Sequence, residues 1–267
     1  MNTAKEPDDS VPLPEILDEA RRIVDLASKR GLTLRLLGGV AVRLRCQSAT
    51  HPALSRRYVD IDLAGFGKES IGLQRFFVEL GYVPRDVFNA MYGYERLVFN
   101  DLMRTRRVDV FLDHFKMCHA FDLRDRLRLD PLTIPLADLL ATKLQVVEVT
   151  RREYLDSIAL LHDHDIADGE DVDKIDASYI VKLTSEDWGI YKTFLTNLDR
   201  ITAFLDESEL DEDVKVNVHS KVSGLRERIQ QSTKSMRWKM RARIGERARW
   251  YELPEPDKEI VDTRVPR

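Results

Sequence analysis

Two carboxylates one residue apart, Asp60 and Asp62, lie between Val59 and Leu63, about twenty residues after the glycine pair Gly38-Gly39 that closes the apolar run Leu34 to Leu37. On a strand, alternation puts Asp60 and Asp62 on one face, roughly 7 Å apart at the Cα level. Val59, Ile61 and Leu63 then point the other way, into a core. Acidic oxygens converging beside a glycine turn suit a divalent metal and a phosphate together. A third carboxylate, Asp109, lies in the β-rich stretch Arg107-Val108-Asp109-Val110-Phe111. Three acids on two strands, with a glycine turn, predict metal-dependent phosphoryl or nucleotidyl transfer.

In such chemistry Asp60 and Asp62 bridge two Mg2+ ions, about 4 Å apart, that stabilise the entering and leaving oxygens of an in-line displacement at phosphorus. Asp109 holds the metal near the acceptor hydroxyl and takes its proton. Asp113 is a rival on the same strand face but falls roughly 13 Å further along. Apolar neighbours on both sides favour Asp109. Gly38 and Gly39 admit phosphate close to the backbone, because no Cβ blocks it. Arg43 and Arg45 follow on a short helix, either as phosphate contacts or as a solvated face.

The elements that must position these groups follow from periodicity. Pro12 to Lys29 repeats apolar residues at helical spacing, with Gly31 as its stop. Thr33 to Leu37 reads as a strand and Val40 to Cys46 as a helix opening at Gly39, so free backbone N–H groups face a phosphate position. Gln47 to Arg57 is a loop, Tyr58 to Ala64 a strand and Ser70 to Leu80 a helix stopped by Gly81. Tyr94 to Asn100 and Arg107 to Leu112 read as neighbouring strands joined by a polar turn. After Pro135, helical spacing takes over in Leu136 to Val149, Arg152 to Leu161, Trp188 to Leu205 and Asp213 to Gln231. The expected fold is α/β: a mixed sheet flanked by helices, followed by a helical C-terminal half. The expected divisions are a disordered leader over 1–11, an α/β core over 12–135, a helical domain over 136–252 and a tail over 253–267.

This pattern resembles the minimal nucleotidyltransferase superfamily, with its Gly-Gly or Gly-Ser turn, Asp-x-Asp strand and third Asp strand. Within it the chain is most similar to the AbiEii-like toxin group. The Gly-Gly-x-Ala turn of that group is matched by Gly38-Gly39-Val40-Ala41, and its basic residue before the Asp-x-Asp by Arg56. Tyr58 stands where that group often has Thr or Ser. The resemblance covers roughly residues 12 to 165. Pro135-Leu136-Ala137-Asp138-Leu139-Leu140-Ala141-Thr142-Lys143-Leu144 is similar to a helix of the group that carries an essential lysine. The resemblance implies that Lys143 reaches the triphosphate, where an ammonium offsets charge growing on the pyrophosphate. It also implies that Asp156 orients Lys143 or the acceptor, and that Gly38, Gly39 and Arg56 help bind the nucleotide. The implied activity moves a nucleoside monophosphate from an NTP to an acceptor hydroxyl, an RNA end or a protein side chain, in a toxin paired with an antitoxin protein. An aminoglycoside-type small-molecule acceptor stays open within the enzyme class. The alternative outside that class is a catalytically idle module of the same fold that binds nucleic acid or a partner protein.

Composition narrows the rest. With 267 residues, 43% hydrophobic and 33% charged, the chain has material for a substantial core. No apolar run approaches a membrane span, and the polar first residues are unlike a signal peptide. Cys46 and Cys118 lack partners at zinc spacing, which predicts a reducing cytoplasm. The net charge of −4 hides an asymmetry: residues 163 to 176 hold seven acids and one Lys, and residues 221 to 249 hold ten bases and two Glu. The acidic stretch departs from an EF-hand, since Gly169 falls one place late and Lys174 occupies the twelfth position. The basic stretch, with Trp238 and Trp250 in or beside it, suits RNA phosphates and stacked bases, or lies against the acidic connector.

Overall fold

The computed structural model describes residues 10–253, so most of the leader and nearly all of the tail lie outside the described residues. The first helix, α1 (Ile16–Lys29), buries Ala20, Ile23, Val24 and Ala27 along one stripe. Gly31, at φ +71°, turns the chain out of it into strand β1 (Leu34–Leu37). Helix α2 (Gly38–Arg45) follows without a linker, and β2 (Asp60–Gly65) returns antiparallel to β1.

Helix α3 (Ser70–Glu79), the short strand β3 (Val83–Pro84) and helix α4 (Asp86–Tyr92) lead to the hairpin β4 (Arg96–Asp101) and β5 (Arg106–Leu112). The sheet order is β1-β2-β5-β4-β3, and only the central β2–β5 pair is parallel. The outer edge of β1 is covered: Leu36 N–H donates to Leu132, and Leu36 accepts from Ile134. Covering that edge leaves fewer unpaired backbone groups to template another chain.

A second hairpin, β6 (His114–Lys116) and β7 (Ala120–Asp122), precedes the helical half. That half comprises α5 (Leu136–Leu144), α6 (Arg151–Asp163), the small pair β8 (Ile166–Ala167) and β9 (Ile175–Asp176), α7 (Ala177–Glu186), α8 (Trp188–Glu207), α9 (Glu212–Gln231) and α10 (Met236–Ile244). The fold is thus mixed α/β, with a five-stranded sheet first and mostly helix after it. One buried apolar cluster runs from Ala20 through the sheet to Ile229, so helices and sheet share a continuous core. Among the described residues, no helix is long and apolar enough to cross a membrane.

Several local expectations are corrected. Val59 does not enter the core: the strand begins at Asp60, and Val59 stands 41% exposed before it. The helix from Leu136 stops at Leu144 instead of Val149, and the Asn197 amide donates to the freed carbonyls of Leu144 and Val146. Helix α4 is new. Its buried residue is Asn89, whose amide brackets the backbone of Val98, so it lacks an apolar stripe to betray it. Helix α7 is also new, capped by Asp176 from within the acidic connector.

Candidate active site

The register of the central strands decides where the acids meet. Asp62 is paired with Leu37 of β1 on one side and with Asp109 of β5 on the other. Cross-strand partners point to the same face, so Asp62 and Asp109 are side-by-side neighbours. Asp60 pairs with Arg107 one step toward the strand start and is exposed, whereas Asp62 is half-buried and Asp109 is buried.

The glycine turn closes directly onto these side chains. Gly38 has φ +70°, and a methyl group there would overlap the Asp62 carboxylate. A methyl group on Gly39 would overlap the Arg56 guanidinium. The space freed by the two missing side chains is therefore used by a carboxylate and a guanidinium. No side chain caps the start of α2.

Arg56, Lys143 and Asp156 form one ionic group around the buried Asp156. Arg56 Nε and Nη2 donate to the two oxygens of Asp156 at 2.9 and 2.8 Å. Lys143 Nζ, from α5, lies 2.7 Å from Asp156 Oδ2. Burial pushes the Asp156 carboxyl up, but Lys143 and Arg56 outweigh it and hold the group below the usual carboxylate range. Burial works against the Arg56 charge in turn, and Asp156 more than restores it. The Tyr58 ring lies under the Arg56 guanidinium at 4.5 Å and gives it a flat aromatic shelf.

Asp62 has the opposite problem. Its carboxyl is pushed up to about 7, by burial first and then by Asp109 and Asp60, with Lys143 and Arg96 pulling it down. A carboxylate withdrawn from water beside other carboxylates behaves in this way. Asp109 has already found its own cations. Arg96 Nε donates to Oδ1 at 2.9 Å with Nη2 at 2.7 Å, and Arg107 Nε stands 2.9 Å from Oδ2. Among the described residues, no three His, Cys, Asp or Glu side chains form a group arranged to hold a metal ion.

Arg96 and Arg107 are therefore site residues that the sequence analysis missed. Alternation alone puts Arg107 on the face of Asp109, two residues away. Arg96 is found only through the pairing of Val98 with Asp109, which sets it diagonally across the strand boundary.

Other candidates take structural roles. Asp113 leaves the strand at φ +61° and accepts from Gly67 N–H at 3.0 Å, so it does not compete with Asp109. Arg45 pairs with Asp130 and Asp173 and donates to the Val172 carbonyl, which removes it from phosphate binding. Cys46 and Cys118 are buried free thiols. From the basic stretch, Lys221 lies 3.3 Å from Asp165, and Arg228 pairs with Asp168. Helix α9 thus does lie against the acidic connector, while α10 contributes no such pair among the described residues.

The chain matches no model of a known protein family and no curated protein.

Proposed function

We propose that this chain is a metal-dependent nucleotidyltransferase of the AbiEii-like kind, moving a nucleoside monophosphate from an NTP to an acceptor hydroxyl on an RNA end or a protein side chain. The observation that carries the reading is the meeting of two groups far apart in sequence at one place. Asp62 and Asp109 sit side by side under Gly38, and Arg56, held with Lys143 by Asp156, abuts Gly39.

The donor set fits a hard divalent cation: carboxylate oxygens, one of them raised by burial and by its acidic neighbours. Asp60 and Asp62 would hold it, and Asp109 would join once Arg96 and Arg107 exchange its oxygens for a phosphate. Such a cation supplies charge that offsets the triphosphate. Lys143, already fixed by Asp156, offsets charge on the departing pyrophosphate. Freed from its arginines, Asp109 accepts the proton of the acceptor hydroxyl. Arg56 positions Asp156 and thereby Lys143. A reducing cytoplasm and a cognate antitoxin belong to the same reading.

The second reading, an idle module binding nucleic acid or a partner protein, is favoured by one observation. Both oxygens of Asp109 are engaged by arginines. Incubation with each labelled NTP, Mg2+ and total cellular RNA or protein separates the two. Transfer by the wild type and none by Asp60→Asn, with an unchanged circular dichroism spectrum, is the expected result. Full activity in Asp60→Asn would sink the assignment.

A further inference from the structure

A cleft of about 560 Å³ opens between the β6–β7 hairpin, the start of α8, helix α10 and the segment after it. Its lining includes none of Asp60, Asp62, Asp109 or Lys143. All three tryptophans of the chain line it: Trp188, Trp238 and Trp250. Tyr251 joins them, and Arg237, Arg241 and Arg249 stand around the same space.

The rings are held edge-on. Trp188 meets Trp250 at 79°, and Trp250 meets Tyr251 at 78°, with centroids 5.8 and 5.3 Å apart. Trp238 meets Tyr191 at 84°. Trp188 is buried under Arg241 and Tyr251 lies under Arg249, whereas Trp238 and Trp250 stay partly exposed to the cleft. The Trp250 indole N–H is fixed by the Thr193 hydroxyl at 3.1 Å, whereas the Trp238 indole N–H has no acceptor among the described residues.

The arginines divide into two kinds. Arg241 builds the wall: it donates to the carbonyls of Gly245 and Ala248, both at 2.7 Å, and lies over the Trp188 ring. Arg237 and Arg249 are exposed and form no ion pair among the described residues, while the Arg249 guanidinium lies over the Tyr251 ring at 4.8 Å. The acids nearby are largely engaged. Asp187 caps α8 through Ile190 N–H, and Glu252 pairs with Lys116 at 3.0 Å.

We infer that this cleft is a second binding site, for a nucleoside phosphate whose base stacks on the partly exposed indoles of Trp238 and Trp250 and whose phosphate meets Arg237 and Arg249. Aromatic faces take any base, and guanidinium pairs take phosphate oxygens, so the combination selects base and phosphate together. A volume of this size lies within the range of pockets that enclose a small ligand. The ligand is either a free nucleotide or an unpaired residue of a single-stranded polynucleotide, which offer the same chemistry. The inference goes beyond the transfer reading and stands without it.

Because every tryptophan lines the cleft, intrinsic fluorescence reports on it directly. The full chain, in EDTA, is titrated with AMP in one arm and with a short single-stranded oligoadenylate in the other, with excitation at the red edge of the indole band. EDTA removes the cation that nucleotide binding at the aspartates needs, so a failure of transfer and a failure here are distinguishable. Saturable quenching is expected, with affinity lowered about tenfold or more in the double variant Arg237→Glu, Arg249→Glu. Quenching by both ligands, or by AMP alone, identifies a free-nucleotide site. Quenching by the oligonucleotide alone, with a log–log salt slope near −0.7 per contacted phosphate, identifies a polynucleotide site. Should the double variant melt early, Arg237→Ala and Arg249→Ala are read singly. No quenching by either ligand, or quenching indifferent to every arginine change, overturns the inference.

Discussion

In metal-free protein at about pH 8, replacing Asp62 with Asn should make the chain more stable. The Asp62 carboxyl is pushed up to about 7, chiefly by burial and then by Asp109 and Asp60. An acid whose folded value lies above its unfolded value near ~4 holds its proton more tightly in the folded state. Its contribution is therefore most favourable below about pH 4 and is lost as pH rises toward 7. A displacement of about three pH units corresponds to ~4 kcal/mol at pH 8. Asn keeps the shape of the side chain and cannot ionise. It should recover about 2–4 kcal/mol there, a rise in Tm on the order of 5–10 °C for a chain of this length. Near about pH 4 the difference should shrink well below ~1 kcal/mol. Magnesium offsets the same charge, so a saturating concentration should raise the Tm of the wild type at pH 8 and move the Asn variant far less. Thermal melts across this range, in EDTA and in MgCl2, check both statements. A variant no more stable than wild type at pH 8, or a gap independent of pH, would refute the account of Asp62. An equal magnesium response in both proteins would refute its assignment as a metal ligand.

Lys143→Ala should lower turnover by about 100-fold or more if the ammonium stabilises the transition state, and steady-state kinetics with labelled NTP reads it; a rate within a few-fold of wild type would reject the role. Asp156→Asn should cost about 3 kcal/mol in denaturant unfolding, because two largely enclosed cations, Arg56 and Lys143, lose their shared counter-charge. The wild-type contribution of Asp156 should persist above about pH 4 and fade as pH drops through its lowered folded value. Gly38→Ala should destabilise by about 1–2 kcal/mol from the left-handed backbone alone. Overlap with the Asp62 carboxylate adds to that loss, so a Tm within a degree of wild type would contradict the turn geometry.

Features set by short-range pattern could be read from the residues in order. Alternation in β2 and β5 placed the acids, the glycine pair marked the strand-to-helix turn, and 3.6-residue spacing marked α1, α3, α6, α8 and α9. Those signals are local: a face or a turn is decided by neighbours within a few residues. The mixed α/β class followed from the change of period near Pro135.

What tertiary structure alone decided is which charges meet. That Asp62 lies beside Asp109 depends on a parallel register between strands separated by two helices and two further strands. Arg96 on Asp109, Arg56 on Asp156 and the three tryptophans around one cleft are contacts between distant segments. In sequence none of these residues shows which distant partner it meets. The pairing of charges is a matter of ångströms, since the interaction weakens with separation and with the water between the groups. Only the packed core sets those separations, and that is why Arg241, which reads as a phosphate contact in sequence, proves to be a support for its own loop.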